Sequence, residues 1–210
     1  ADIRHTVPPG VLVGGDAAQT VDETSATYGA FPLMFGLVAL VTFVLLARGL
    51  RSILLPAKAV LLNALSLGTT LGFLTWVFQL DNLHWLVGPF QVTGSLDLST
   101  VVLVVVIAFG LSMDYELFLL GRIKEEHDRG MSTIDSVSYG LQRSGRIVTT
   151  AAFVLAVSFF GFVTSGVSIM KLLGLGIAFA ILLDASIVRA LLVPALMRLF
   201  GAANWWAPKW

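Results

Sequence analysis

The chain has 210 residues, of which 57% are hydrophobic and 12% charged, with zero net charge and no cysteine. Soluble domains carry about 25% charged residues, so a globular core does not account for this composition and an integral membrane protein does. Neutral charge gives a nucleic-acid partner no footing, the missing cysteines exclude disulfides and thiolate metal sites, and His5, His84 and His127 lack metal-ligand spacing.

The chain opens ADIRHTVPPG, without Met and without a basic segment leading into an apolar one, so no signal peptide is read. A multispan chain that starts this way is expected to be a piece of a longer one. Residues 1–27 read as the tail of an external domain: Val11–Val13 close a strand, and Gly14 and Gly15 turn the chain. Asp16 then caps a helix with Gln19 at its third position. That helix is expected to run unbroken into the first span and so act as a lever.

Apolar runs of about 20 residues mark spanning helices. Five are predicted, at 28–48, 53–79, 99–121, 146–168 and 170–199, giving an all-α membrane protein built as a five-helix bundle over 28–199. Lys and Arg gather on one set of flanks: Arg48, Arg51, Lys58, Arg122, Lys124, Arg129, Arg143, Arg146, Arg198 and Lys209. The other set has Arg4 and Lys171, and the connection 80–98 has neither residue type. The positive-inside rule puts the basic side in the cytoplasm, with the N-terminus outside and the C-terminus inside a bacterial plasma membrane.

Between the third and fourth spans, 122–145 is predicted as a linker. Ser132 and Asp135 start a helix in it, and Ile134, Val137 and Leu141 recur at helical spacing. This reads either as an amphipathic helix on the inner membrane surface or as a linker helix packed on the bundle. The tail 200–210 places Trp205, Trp206 and Trp210 beside Lys209, an interfacial anchor by the preference of indoles for headgroups. Lys58 is expected to snorkel to the inner surface. Pro56 and Pro194 are expected to bend or end helices. Small residues Ala64, Gly68 and Gly72, with Gly174 and Gly176, read as close helix packing.

The third span reads STVVLVVVIAFGLSMDYELFLL and carries ionisable groups well inside it. A charge at the centre of a spanning helix costs about 2.5–3.5 kcal/mol even on lenient scales, so Asp114 is the first functional candidate. In a low-dielectric bundle it is suited to loading and releasing a proton; the bland reading pairs it with a buried Arg or with backbone. Tyr115 supplies a hydroxyl for a carboxylate on an adjacent helix. Successive helix positions point about 100° apart, so Asp114, Tyr115 and Glu116 cannot share a face, and Glu116 meets another helix or the inner interface. Phe118, four residues after Asp114, lies on its face as a plug or as plain packing. Gly110, four residues before, leaves room there for a helix or water. Asp184 and Arg189 in the last span are five positions apart, on different faces, and are not expected to form a simple intrahelical pair. They read as an interhelical structural pair or, with Glu116, as a second polar network on a proton path.

The run GLSMDYELFLLGRIKEEHDRG closely resembles the MMPL family (mycobacterial membrane protein, large) of the RND superfamily. So do VGGDAAQTVDETSATYGAFPL and LLDASIVRALLVPALM, and the resemblance covers essentially the whole chain. It implies twelve spans in two halves, each with an external porter domain, of which this chain is the C-terminal membrane half. It also implies a central proton relay in which Asp114 and Tyr115 match the C-terminal Asp-Tyr pair and Phe118 a flanking aromatic. The N-terminal half, with its own pair, must then come from the rest of a longer chain or from a partner subunit.

The resulting expectation is a proton-motive-force-driven secondary transporter, not an enzyme, that exports lipids or other hydrophobic molecules. It needs no cofactor beyond the proton gradient. Its partners would be membrane lipids, the lipid substrate and the missing half, with a homo-oligomer among the assemblies allowed. The alternatives are a sterol-sensing type of scaffold without transport, and an intramembrane aspartyl protease using Asp114 and Asp184. The protease reading lacks the expected Gly-x-Gly-Asp pattern.

Overall fold

A computed structural model describes residues 14–80, 82–88 and 96–207. The predicted strand at 11–13 and the readings on Arg4, His5, Lys209 and Trp210 fall outside them. The α-helices are α1 (Asp16–Leu50), α2 (Leu54–Phe78), the single-turn α3 (His84–Val87), α4 (Leu98–Asp128), α5 (Thr133–Phe160), α6 (Ser168–Leu183) and α7 (Val193–Phe200). A π-helical stretch, Asp184–Leu192, joins α6 to α7, and 3-10 turns follow α5 at Gly161–Thr164 and α7 at Gly201–Trp205. There are no strands among the described residues. Among the described residues, five segments are long and apolar enough to cross a membrane: Gln19–Leu50, Leu54–Phe78, Leu98–Asp128, Thr133–Thr164 and Ser168–Trp205. The all-α five-span reading is borne out.

The chain forms two compact units, residues 1–41 and 42–210. Within the first, α1 starts just after Gly15, whose φ of 107° suits glycine. Gln19 Nε2 donates to Glu23 Oε1 one turn ahead, at 2.7 Å; the Asp16 half of the capping-box reading lies outside the described side chains. Pro32 lies inside the helix, which continues through it.

The second unit holds the bundle, and some of its helix ends carry side-chain caps for the orphan backbone groups. Ser52 Oγ accepts from Leu55 N at 3.2 Å, and Pro56 sits in the first turn of α2, where no N–H is missed. Asn82 Nδ2 donates to Trp76 O at 2.9 Å as that helix ends. Asp97 Oδ2 accepts from both Thr100 N (2.8 Å) and Thr100 Oγ1 (2.6 Å) to start α4.

The predicted linker 122–145 is not a separate element. α4 runs on to Asp128, and α5 begins at Thr133 and continues into the fourth span. Local ion pairs explain the extension: Lys124 meets Asp128 at 2.7 Å, and Arg129 meets Glu125 at 2.6 Å and Glu126 at 2.8 Å. Such pairs at i, i+3 and i, i+4 support an exposed helix. Gly130, at φ 97°, ends it. The Ser132 start is as read: its Oγ accepts from Asp135 N at 3.2 Å and donates to Asp135 Oδ2 at 2.7 Å.

Lipid tails are as apolar as leucine, so burial alone does not hold spanning helices together; close packing does. At Gly174 an added Cβ would lie 2.5 Å from Phe159 O, and at Gly176 2.9 Å from Leu74 Cδ1. At Gly140 it would meet Ile123 Cγ1 at 2.7 Å. The packing reading therefore holds for Gly174 and Gly176. It fails within this chain for Gly68 and Gly72, which are exposed with nothing within 4 Å of an added Cβ. The buried face of α2 is instead Asn63, Ser66 and Thr70, at 1%, 5% and 1% exposure.

The tail also departs from expectation. Asn204 is fully buried; its Nδ2 donates to Met197 O and Gly201 O, each at 2.7 Å, and its Oδ1 accepts from Lys58 Nζ. Lys58 thus ends on the tail and over the Phe200 ring, 5.1 Å from its centroid, rather than snorkelling. Trp205 stacks on His127 at 3.8 Å with rings 7° apart, and its Nε1 donates to Thr133 Oγ1 at 2.9 Å. An indole with both a ring partner and an acceptor in the protein is a packing residue rather than a lipid anchor. Trp206 remains exposed.

Candidate functional site

Two apolar cores divide the bundle. One, toward the α1–α2 connection, includes Leu55, Leu62, Met113, Ile123, Val188 and Met197. The other includes Leu74, Val104, Ala156, Val163, Leu175 and Ile181. Between them along the helices lies a polar layer: Asn63 and Ser66 from α2, Ser112 from α4, and Asp184 and Arg189 from the π stretch, all buried.

The Asp184–Arg189 ion pair is the main correction to the sequence reading. Arg189 Nη2 donates to Asp184 Oδ2, within one helix. In an α-helix residues five apart diverge, but a π stretch bonds i to i+5, and Val193 N accordingly donates to Val188 O. The wider turn stacks residue 189 over residue 184. Pro194, which has no N–H to give, follows at once in the first turn of α7. The same Nη2 also donates to Ser112 O at 3.3 Å, and the guanidinium carbon sits 4.9 Å from the Tyr115 ring centroid. The pair therefore ties the last span to α4 through backbone and ring.

The DYE triplet separates as its geometry requires. Glu116 is buried at 3% exposure, on the side of α4 that meets Asp184 and Arg189 electrostatically. With Lys58 it lines a small cavity among Leu55, Leu62, Val193 and Met197. Tyr115 is half-buried. Asp114 is exposed, not inside this bundle, and Gly110 and Phe118 share its outward face. Phe118 is 43% exposed, with the Arg122 guanidinium 5.5 Å from its ring centroid. An added Cβ at Gly110 would meet nothing within 4 Å. Asp114 and Asp184 are thus not brought together: one faces outward and the other is buried against Arg189. That separation leaves the aspartyl-protease arrangement without its facing carboxyls.

Tyr115 belongs to two spaces. It lines the small enclosed cavity of the polar layer, with Asn63, Ser112, Asp184 and Arg189. It also lines an open groove of about 600 Å³ along α5, with Arg146, Ile147, Thr150, Val154 and Ser158. Among the described residues no cluster of three or more His, Cys, Asp or Glu is arranged to hold a metal ion.

Sequence reasoning missed Asn63, Ser66 and Ser112. A signal was present for the first two: Asn63, Ser66 and Thr70 recur at i, i+3 and i+7 in an otherwise apolar span, which is one helical face.

A five-span bundle with a buried ionisable layer, a π-helical stretch and an outward-facing carboxyl describes a polytopic membrane protein. The family model for the MMPL family matches residues 3–210, and the chain belongs to that family, a branch of the RND superfamily. It is 41% identical over 213 aligned positions to the trehalose monomycolate exporter MmpL3 of Mycobacterium tuberculosis strain H37Rv, covering 100% of this chain and 22% of that protein. It is 43% identical over 198 positions to the mycolic acid-containing lipids exporter MmpL11 of Mycolicibacterium smegmatis, covering 94% of this chain and 20% of that protein. It is 40% identical over 201 positions to the heme uptake protein MmpL11 of Mycobacterium tuberculosis strain CDC 1551, covering 95% and 20% respectively. The chain thus spans about a fifth of the length of these relatives. It is a multi-pass membrane protein.

Proposed function

We propose that this chain is the C-terminal membrane half of a proton-motive-force-driven transporter that exports lipids or other hydrophobic molecules across the plasma membrane. The observation that carries the reading is Asp114. A carboxyl in mid-span, on a face this chain leaves uncovered and beside a glycine that clears space, fits a group shared with a helix of the other half. Ionised groups inside a membrane are retained for pairing, binding or proton transfer. The exporter names of two relatives support the substrate class.

In this reading Asp114 takes up and releases the proton, and Tyr115 orients a carboxylate on the facing half. Gly110 and Phe118 shape the approach. Each proton crossing 100 mV supplies about 2.3 kcal/mol, spent on helix shifts rather than covalent chemistry. Asp184, Arg189 and Glu116 form a fixed polar layer behind the relay, and α1 carries movement outward. The basic flanks put the C-terminus in the cytoplasm.

The test replaces Asp114 with Asn in the complete transporter, at matched expression, and compares extractable surface lipids. Loss of one lipid class from the surface with its accumulation inside supports the reading and names the substrate. Unchanged surface lipids overturn the relay.

A further inference from the structure

The small cavity of the polar layer has a volume of about 10 Å³, the room one water molecule needs. Five polar side-chain atoms in its walls have no protein partner: Nδ2 and Oδ1 of Asn63, Oγ of Ser112, and Nε and Nη1 of Arg189. Asn63 is 1% exposed and Arg189 5%, so bulk water does not serve them. Buried polar atoms are nearly always hydrogen-bonded, to protein or to ordered water. On the same face of α2 the Thr70 hydroxyl is accounted for: its Oγ1 donates to Ser66 O at 2.9 Å.

The donor set selects the occupant. The free nitrogens of Arg189 donate only, whereas Asn63 both donates and accepts. A cation would face the guanidinium. An anion would face Asp184, and the space is too small for a polyatomic one. A water accepts from Arg189 and donates to Asn63 Oδ1 at once.

We infer that this cavity holds one ordered water, bonded to Asn63 and Arg189, which fastens α2 to the ion pair of the last span. Asn63 is its protein ligand on α2. The water completes the hydrogen bonding of Arg189, whose Nη2 is already given to Asp184 and Ser112 O. It lies on the enclosed side of Tyr115, whose other side borders the groove with Arg146.

The experiment is a high-resolution cryo-electron microscopy map of the complete transporter in lipid nanodiscs, for wild type and for Asn63→Leu. The expected result is a solvent peak within hydrogen-bond distance of the Asn63 amide and the Arg189 guanidinium, lost in Asn63→Leu. Ordered side chains with no peak between them, or a direct Asn63–Arg189 bond, overturn the inference. If the variant does not fold, the wild-type map decides alone. The map does not depend on transport, so failure of the water and failure of the Asp114 relay are told apart.

Discussion

The two sides of α4 differ in what their polar residues have to touch. On the inward side Glu116 and the Ser112 backbone meet a partnered layer: Arg189 is bonded to Asp184 and Ser112 O and lies over Tyr115. On the outward side Asp114 sits exposed between Gly110 and Phe118, with open space at the glycine. α2 repeats the contrast, with Asn63, Ser66 and Thr70 buried and Gly68 and Gly72 exposed. The inward polar groups are structural glue within this chain, and the outward ones are left uncovered among the described residues. The most conspicuous ionisable residue in the sequence is therefore not the one the fold itself depends on.

That contrast predicts a graded series of substitutions, measured as unfolding free energies of the complete transporter in detergent micelles. The largest effect is expected from Arg189→Leu. Removing one partner of a buried ion pair leaves an uncompensated charge and costs about 3–5 kcal/mol. Replacing Asp184 and Arg189 together by Leu should cost less than Arg189→Leu alone. If the double variant is the worse of the two, the pair is not the unit it is taken to be here.

Next comes Gly174→Ala. The new Cβ meets a backbone carbonyl at 2.5 Å, which cannot give way without moving α5, and overpacking of this kind costs about 1–3 kcal/mol. A cost near zero would show that α5 and α6 approach less closely than described. Trp205→Phe should follow at about 0.5–1.5 kcal/mol, the net worth of one hydrogen bond, because it keeps a ring on His127 but loses the donor to Thr133 Oγ1. An unchanged stability would return Trp205 to the membrane interface.

The smallest effect belongs to the outward face. In the isolated 210-residue chain, Gly68→Ala should stay within about 0.5 kcal/mol, with helix propensity favouring the Ala. The same substitution in the complete transporter should be costly if another helix packs there. Equal effects in both settings would break the idea that this face is an interface.

Much of the architecture is legible in the amino-acid order. Runs of about 20 apolar residues give spans whatever their tertiary partners, because an unpaired backbone group in lipid has no alternative to the helix. Local signals also survive: Ser132 caps α5 on its own residues, and the 100° step per residue sends Asp114, Tyr115 and Glu116 to three different environments. Signals failed where a face had to be chosen. Ala64, Gly68 and Gly72 and the set Asn63, Ser66 and Thr70 are both regular stripes on α2, and spacing alone cannot say which one turns inward. Lys58 and Trp205 were assigned to the membrane surface by general preference. The buried Asn204, more than a hundred positions away, gave Lys58 a protein partner instead, and His127 and Thr133 gave Trp205 its own.

The sequence by itself determined that this is a five-span, all-α member of the MMPL family, since length, apolarity and a rare Asp-Tyr pair in mid-span are properties of the chain order. Only the tertiary structure decided that Asp184 and Arg189 pair within one helix, that Asn63 belongs with them, and that Asp114 faces away. The physical reason is one of register. Changing the hydrogen-bonding step from four residues to five over Asp184–Leu192 rotates every later side chain, and a rotation cannot be read from spacing until the helix that makes it is seen.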